Sequence, residues 1–285
     1  MKKNILIVGS SSLLGKSFIK LYGNDYNITT SGRTGNLENK HIYMDLEREI
    51  DFDKFPKNID TIIYLAQSYN FRDFPNSSND IFTINTVRVL DFLNYSRNIG
   101  IKHFIYASTG GVYTQDKINQ EDDFIDTTKL NGFYATSKYC TELLVNSYKD
   151  FFDTVILRPF FMFGINQKKD MLIPRLVENI KTNKEIILQG EEGIYINPIY
   201  VNDAAKALNK IILNNLTGIY NLAGDETVSI RQLSEIIGKL LGIKPIFRQE
   251  NNITKNLLAN NKKIRHSNYS KLEISLKELI YNEFS

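Results

Sequence analysis

The apolar run NILIV, residues 4–8, passes straight into GSSSLLG, residues 9–15, and this junction constrains the fold more than any other stretch of the chain. A strand, a tight glycine turn and a helix start form a cradle for a pyrophosphate. The helix N-terminus offers unpaired N–H groups and the positive end of its dipole. Gly9 and Gly15 meet that plan. Where a further glycine is usual stands Ser12, whose hydroxyl suits a helix N-cap and whose small side chain limits crowding of a phosphate. The turn reads as modified, with the site retained.

The rest of the chain repeats the strand-then-helix alternation. Val, Ile, Thr and Tyr concentrate in NITTS (27–31), HIYM (41–44), TIIYLA (61–66), HFIYAS (103–108) and TVILRP (154–159), which read as strands. Helical spacing of apolar residues appears at 13–23, 81–100 and 136–152, with Gly23 and Gly100 as stops. This pattern predicts an α/β fold, a doubly wound parallel sheet of Rossmann type. The strands 61–66 and 103–108 are almost wholly apolar, as central strands covered on both faces are. From about residue 160 the pattern loses its glycine turns. A Rossmann domain over 1–165 and a smaller substrate-binding lobe over 166–285 are expected, with strands near 196–201 and 218–223 free to return to the first domain. Thr227 or Ser229 should cap a helix. The Asn- and Lys-rich stretch 251–271 predicts irregular or mobile structure, with NNKKIR (260–265) as a solvated surface.

Chemistry concentrates in FYATSKYC, residues 133–140. Tyr134 and Lys138 are four apart and share one helix face, so an ammonium can lie near a phenol and lower its pKa. A tyrosine so placed suits proton transfer. In YASTGGVY (106–113), Thr109 falls at the carboxyl end of a strand, where open α/β sheets bind ligands. Gly110 and Gly111 would let the backbone turn sharply there. Cys140 reads as a small buried hydrophobe, and His41, His103 and His266 show no metal-ligand spacing, so no metal is expected.

These pieces together resemble the extended short-chain dehydrogenase/reductase family, the NAD-dependent epimerase/dehydratase group that acts mostly on nucleotide sugars. GSSSLLG, DL at 45–46, DTIIYLA at 60–66, Asn85, STGGVY at 108–113, YATSK at 134–138, LRPFFMFG at 157–164, NPIYVNDAA at 197–205 and GIYNLAG at 218–224 occur in the family's order over residues 3–245. The resemblance implies a catalytic triad of Thr109, Tyr134 and Lys138, the last also holding the nicotinamide ribose. It implies a cofactor wrapped by Gly9, Ser11, Ser12, Leu13, Leu14 and Gly15. Asp45 and Leu46 would flank the adenine, Leu65, Ala66 and Gln67 would lie along the cofactor, and Pro159 and Phe160 would border the nicotinamide. Gly110, Gly111, Phe161, Arg175 and Arg248 are the candidate substrate contacts. The family often pairs through the helices at 81–100 and 136–152, so a homodimer is expected.

Departures from the family pattern bear on substrate and cofactor. Phe161 stands where many members carry an Asn for the sugar diphosphate, and Ile196 where an Arg often precedes the VxD segment. Gly110 and Gly111 replace the Asp-Glu pair of the dehydratases, which argues against 4,6-dehydration. Tyr64 replaces a common His. After the second strand, an NAD-specific site places an acid for the ribose hydroxyls, but this chain reads SGRTGN (31–36). Gly32 occupies that position and Arg33 follows it. A guanidinium pairs bidentately with phosphate, so Arg33 suits the 2′-phosphate of NADP, with Ser31, Thr34 and Asn36 as further donors.

The expected activity is an NADP(H)-linked reduction of a 4-keto-deoxysugar carried on a nucleotide. The alternatives are a nucleotide-sugar 4-epimerase with bound NAD(H) and, from another class, a non-catalytic dinucleotide sensor. Lys and Arg total 35 against 32 Asp and Glu, a net charge of +3, too near balance for nucleic acid or a membrane surface as the main partner. With one cysteine and no stretch fit to span a bilayer, the cytoplasm is the expected compartment.

Overall fold

The computed structural model describes residues 2–35, 40–252, 255–265 and 269–284. Asn36 and His266 lie outside the described residues. A seven-stranded sheet runs in the order Gly218–Leu222, Asp153–Pro159, His103–Ala107, Thr61–Tyr64, Asn4–Val8, Asn27–Gly32, Lys40–Tyr43. The pairings that join the first five strands in chain order, and that join His103–Ala107 to Asp153–Pro159, are parallel. This is the doubly wound α/β fold that the alternation predicts. Strand order reverses beside Asn4–Val8 and Thr61–Tyr64, the switch point where such sheets bind ligands. Val8 and Tyr64 stand in register there, and both are fully buried.

Burial explains the apolar character of these strands. Ile5, Leu6, Ile7 and Val8 are at most 1% exposed, as are Ile62, Ile63 and Tyr64, because side chains alternate to two faces and both are covered. One face packs Val89, Phe92 and Leu93 from the Arg88–Ile99 helix against Leu6, Ile62 and Phe104. Tyr64, uninterpretable in sequence, is a core residue: its hydroxyl donates to the Ile84 carbonyl at 3.0 Å, and its ring meets Phe92 edge-on at 5.6 Å.

Local signals set the helix ends. Ser12 caps the Leu13–Tyr22 helix and accepts from the Gly15 N–H at 3.1 Å. Gly100 ends the Arg88–Ile99 helix in the left-handed conformation that glycine favours. Gly23 also caps a helix, but with φ of −57° it needs no glycine conformation. Ser229, and not Thr227, caps Ile230–Leu241, in a reciprocal box with Gln232. The helix expected over 81–100 begins earlier, at Ser78–Phe82, and passes through a π segment, Thr83–Val87, before Arg88–Ile99.

The chain divides into two compact units: Met1–Thr114, Phe124–Arg158 and Ala205–Tyr220 in one, and Gln115–Asp123, Pro159–Ala204 and Asn221–Ser285 in the other. Within the second, Ile186–Gln189 pairs with Phe247–Glu250, Tyr195–Ile196 with Val228–Ser229, and Ile118–Asn119 with Leu258–Ala259. Most of the described part of 251–271 is irregular, as expected, with the short strand Leu258–Ala259 and several fixed side-chain contacts within it. Asn197 exchanges hydrogen bonds with Ala259 at 2.7 and 3.2 Å, and Asn261 and Ile264 are buried. Asparagine amides here supplement the short ladder, satisfying buried polar groups that a loop would otherwise leave unpaired. NNKKIR is thus solvated only at its lysines and arginine. A last helix, Leu272–Glu283, buries Leu272, Leu276 and Leu279.

Candidate active site

The catalytic candidates and most of the cofactor candidates belong to the first unit, with Thr109 after the carboxyl end of a strand and Tyr134 and Lys138 on one helix. Gly9 has φ of +79°, and a Cβ there would sit 2.7 Å from the Ala66 nitrogen. Only glycine lets the end of Asn4–Val8 pass that close to the segment after Thr61–Tyr64. A Cβ on Gly15 would meet the Ser10 carbonyl oxygen at 2.7 Å, so the helix start can hold no larger residue. The first-turn N–H groups have no intrahelical acceptor. Ser12 takes that of Gly15, which leaves those of Leu13 and Leu14 to meet an anion. This cradle fits a dinucleotide pyrophosphate.

Thr109 follows the strand His103–Ala107, and its hydroxyl accepts from the Gly111 N–H at 3.1 Å to cap the short turn Gly110–Val112. Gly111 has a negative φ and open room for a Cβ, since only the Thr109 side chain lies within reach at 3.4 Å. The turn therefore does not require glycine there, contrary to the sequence expectation; what the missing side chain leaves is space beside Thr109. Tyr134 lies in the first turn of the Gly132–Ser147 helix. Its hydroxyl donates to Gln67 Oε1 at 2.8 Å, and its ring lies 5.0 Å from that of Phe71.

Lys138, one turn on, is 1% exposed. Its ammonium donates to the Ala107 carbonyl at 2.7 Å and lies 4.8 Å above the Tyr106 ring. Burial lowers its pKa to about 7, with Glu142 acting in the opposite sense. The expectation that Lys138 depresses the Tyr134 pKa is not met in this state. Burial pushes the phenol well above its ordinary value, and the opposing influences are the Thr109 hydrogen bond and the charge of Arg72. The lysine is turned toward the strand end at Ala107, which is why its charge does not govern the phenol.

A polar network fixes the helix bearing Tyr134. Asn85, inside the π segment, accepts from the Ser68 N–H at 2.9 Å and donates to Ser137 Oγ at 3.1 Å. Ser137 in turn donates to the Tyr134 carbonyl at 2.8 Å, and Thr141 donates to the Asn85 carbonyl at 2.7 Å. The widened turn sets the Asn85 amide between the Gln67–Ser68 segment and the helix. π turns often serve such sites. The family resemblance places Gln67 along the cofactor, but its bond to Tyr134, and the parts of Phe71 and Arg72, depend on loop placement that no motif encodes.

The remaining candidates are more dispersed. Asp45 accepts from the Glu47 N–H and lies 3.9 Å from Arg48, while the Leu46 carbonyl accepts from Arg88 Nε at 2.9 Å. Arg33 follows Asn27–Gly32 and is largely exposed, 3.7 Å from Glu47. Ser31 is buried and Thr34 exposed. Leu65 continues from the sheet, its N–H bonded to the Val8 carbonyl at 2.9 Å. Pro159, Phe160, Phe161, Arg175 and Arg248 belong to the second unit. Phe160 is fully buried, and its N–H donates to the Leu222 carbonyl. Phe161 has φ of +41°, a conformation in which Asn is at ease and a bulky residue is rare. The backbone thus keeps the shape suited to the amide that Phe161 replaces. Arg175 is exposed, and Arg248 pairs with Glu250 and Glu185 on the surface. Cys140 is half-exposed, not buried. Among the described residues no group of His, Cys, Asp or Glu could hold a metal ion, and no helix is long and apolar enough to cross a membrane.

Comparison with known proteins shows the family and the fold of the chain. Residues 5–223 match the family model described as NAD dependent epimerase/dehydratase family. A putative UDP-glucose 4-epimerase of Methanocaldococcus jannaschii is 26% identical over 84% of this chain and 83% of its own. GDP-6-deoxy-D-talose 4-dehydrogenase of Aggregatibacter actinomycetemcomitans is 28% identical over 80% of this chain and 78% of its own. The crystal structure of UDP-glucuronic acid 4-epimerase from Bacillus cereus, in complex with UDP-glucuronic acid and NAD, superposes with a TM-score of 0.86 at 20% identity over 98% of both chains.

Proposed function

The chain is an enzyme of the NAD dependent epimerase/dehydratase family, and on that premise we propose that it carries out oxidation and reduction at carbon 4 of a nucleotide-activated sugar. The observation that carries this reading is the Tyr134 phenol, held by Gln67 and borne on the same helix that buries Lys138, with the Thr109 hydroxyl and Arg72 opposing the burial that raises its pKa. A nicotinamide dinucleotide, when bound, would supply the hydride chemistry. The chain's own residues hold it and move the proton. The Gly9–Gly15 turn, with Ser11, Ser12, Leu13 and Leu14, would receive the pyrophosphate; Asp45 and Leu46 would flank the adenine; Leu65, Ala66 and Gln67 would line the remainder on the first unit. In the reducing half-reaction the Tyr134 phenol would give its proton to the sugar carbonyl oxygen as that oxygen gains charge, and in the oxidising half-reaction its phenolate would take the proton of the 4-hydroxyl. Thr109 orients the same oxygen, and Lys138 binds the nicotinamide ribose.

Our first reading of the net reaction is 4-epimerisation with NAD retained. The relatives' names and the Glu47 carboxylate beside Arg33 support it, since an acid at this rim suits free ribose hydroxyls and repels a 2′-phosphate. The second reading, 4-keto reduction with NADPH, rests on Arg33 and the absence of an acid at residues 31–35. Phe161, Arg175 and Arg248, all in the second unit, are the proposed sugar contacts of that unit. A homodimer through the helices at 78–99 and 132–147 belongs to the same proposal, supported by exposed Val87 and Leu143. The free thiol of Cys140 supports a reducing compartment, the cytoplasm.

Purified protein incubated with UDP-, GDP- and dTDP-sugars and their 4-keto forms separates these readings. Inversion at carbon 4 without net cofactor consumption establishes the epimerase; NADPH consumption on keto sugars establishes the reductase. Dinucleotide binding without turnover across the panel overturns both in favour of a sensor. Tyr134→Phe should keep dinucleotide affinity and lower turnover by roughly a hundredfold or more.

A further inference from the structure

Behind Lys138 lies a buried charge cluster that the proposed chemistry leaves unused. Glu142, one helical turn beyond Lys138, is 3% exposed. Its Oε2 accepts from Arg158 Nη2 at 2.6 Å, and its Oε1 accepts from Arg158 Nε at 3.1 Å and from Ser108 Oγ at 2.5 Å. Arg158 is 2% exposed and lies 4.7 Å from the Tyr113 ring centroid. One carboxylate therefore joins the helix of Tyr134 and Lys138 to the segment before Thr109 and to the strand Asp153–Pro159. An ion pair this deep is a poor device for stability, because both charges lose their water. Its position beside Lys138 gives another reason for it.

We infer that Glu142 is a positioning residue that acts through Lys138: clamped by Arg158 and Ser108, it is the buried counter-charge that keeps the lysine an ammonium ion where the site needs a cation. Groups on the neighbouring strands and on the lysine's own helix bear on this. The strand His103–Ala107 presents the Tyr106 ring and the Ala107 carbonyl, with Tyr64 of the next strand behind at 6.3 Å from Tyr106. The lysine's own helix carries Tyr134 and Glu142, and the strand Asp153–Pro159 carries Arg158. Arg72 acts on the site through Tyr134. Of these groups, Glu142 alone carries a carboxyl group, and it is paired with Arg158. Its field opposes the burial that draws the lysine toward neutrality. The pair with Arg158 and the bond from Ser108 hold that carboxylate in one place.

The role of a charged Lys138 in turnover rests on the function proposed above, but its charge state does not, and can be read without any substrate. The full chain labelled with ε-13C lysine is titrated by NMR, with Lys138→Arg identifying the resonance. Glu142→Gln should lower the Lys138 midpoint by about 1 pH unit or more, because it removes the anion and leaves Arg158. Arg158→Met should raise it, because it frees the carboxylate. Arg158→Lys should restore the wild-type midpoint. The double variant Glu142→Gln/Arg158→Met removes both charges at similar volume and keeps the test open if either single variant fails to fold; its midpoint should fall, by less than that of Glu142→Gln. General loosening of the core would move both single variants in the same direction. That result, or an unchanged midpoint in the double variant, overturns the inference.

Discussion

Two arginine–glutamate pairs border this site, and they behave as different objects. Arg158 and Glu142 meet at 2.6 Å with side chains 3% and 4% exposed; Arg33 and Glu47 stand 3.7 Å apart with side chains 58% and 54% exposed. In water the second pair gains little, since solvent and salt screen it and each long side chain keeps its freedom. The first pair is locked by two hydrogen bonds, a serine and an aromatic face, and neither charge has water to fall back on. Burial works against the Arg158 charge, and Glu142 outweighs it, so the guanidinium is held firmly protonated. The same chemical pair is therefore an architectural element in one place and an adjustable rim contact in the other. A cofactor phosphate or hydroxyl can rearrange the rim pair at small cost, whereas nothing entering the site can rearrange the buried one.

The comparison breaks first in unfolding experiments. Arg158→Met should cost about 3–5 kcal/mol in urea denaturation, since it strands a buried carboxylate, and the double variant with Glu142→Gln should cost less than that single change. A loss below 1 kcal/mol would put the two pairs in one class.

Lys138→Met sharpens the contrast by removing a buried charge that has no ion-pair geometry of its own. The folded-state pKa of Lys138, about 7, lies below the ordinary lysine value of 10.5. Between those limits the unfolded chain binds the extra proton, so the lysine's penalty is full below pH 7 and fades as pH rises toward 10.5. The variant should thus be more stable than the parent by on the order of 2 kcal/mol near neutral pH. That advantage should shrink toward pH 10. Thermal melts across this range that show a constant difference would contradict the lysine's burial as its source.

The smallest effects belong to the rim. Arg33→Ala should change stability by less than about 1 kcal/mol, and by less still in high salt. Its effect on cofactor choice is the larger signal. If NADPH binds more tightly than NADH, the variant should lose about 1.5–3 kcal/mol of that preference, one charge-assisted contact. Tighter NADH binding by the parent would instead support the first reading, in which Glu47 sets the character of the rim.

Legibility in the sequence followed the range of each interaction. The Gly9 turn, the Ser12 cap and the shared helix face of Tyr134 and Lys138 involve residues within a turn or two of one another, and pattern alone locates them. Asn85 was visible only as a family match; its amide bridges Ser68 and Ser137, 17 and 52 positions away. The expected lowering of the Tyr134 pKa by Lys138 failed for a related reason. Helical spacing brings the two side chains to one face, but the direction of the ammonium is chosen by the Ala107 carbonyl and the Tyr106 ring from another strand. The short strand Leu258–Ala259 is equally illegible, because asparagine side chains and not an apolar rhythm hold that segment.

By itself the amino-acid sequence determined the alternation of strands and helices, the glycine junction after the first strand and the residue types of a proton-transfer pair. Each depends on backbone preference and on the periodicity with which side chains meet a buried face, both of which are local properties of the chain. Only the tertiary structure decided that Glu142 meets Arg158, that Gln67 receives the Tyr134 hydroxyl, and that the Lys138 ammonium turns beneath Ala107. These contacts join elements distant in sequence inside a volume with little water, where desolvation makes each charge depend on the partner that folding brings to it.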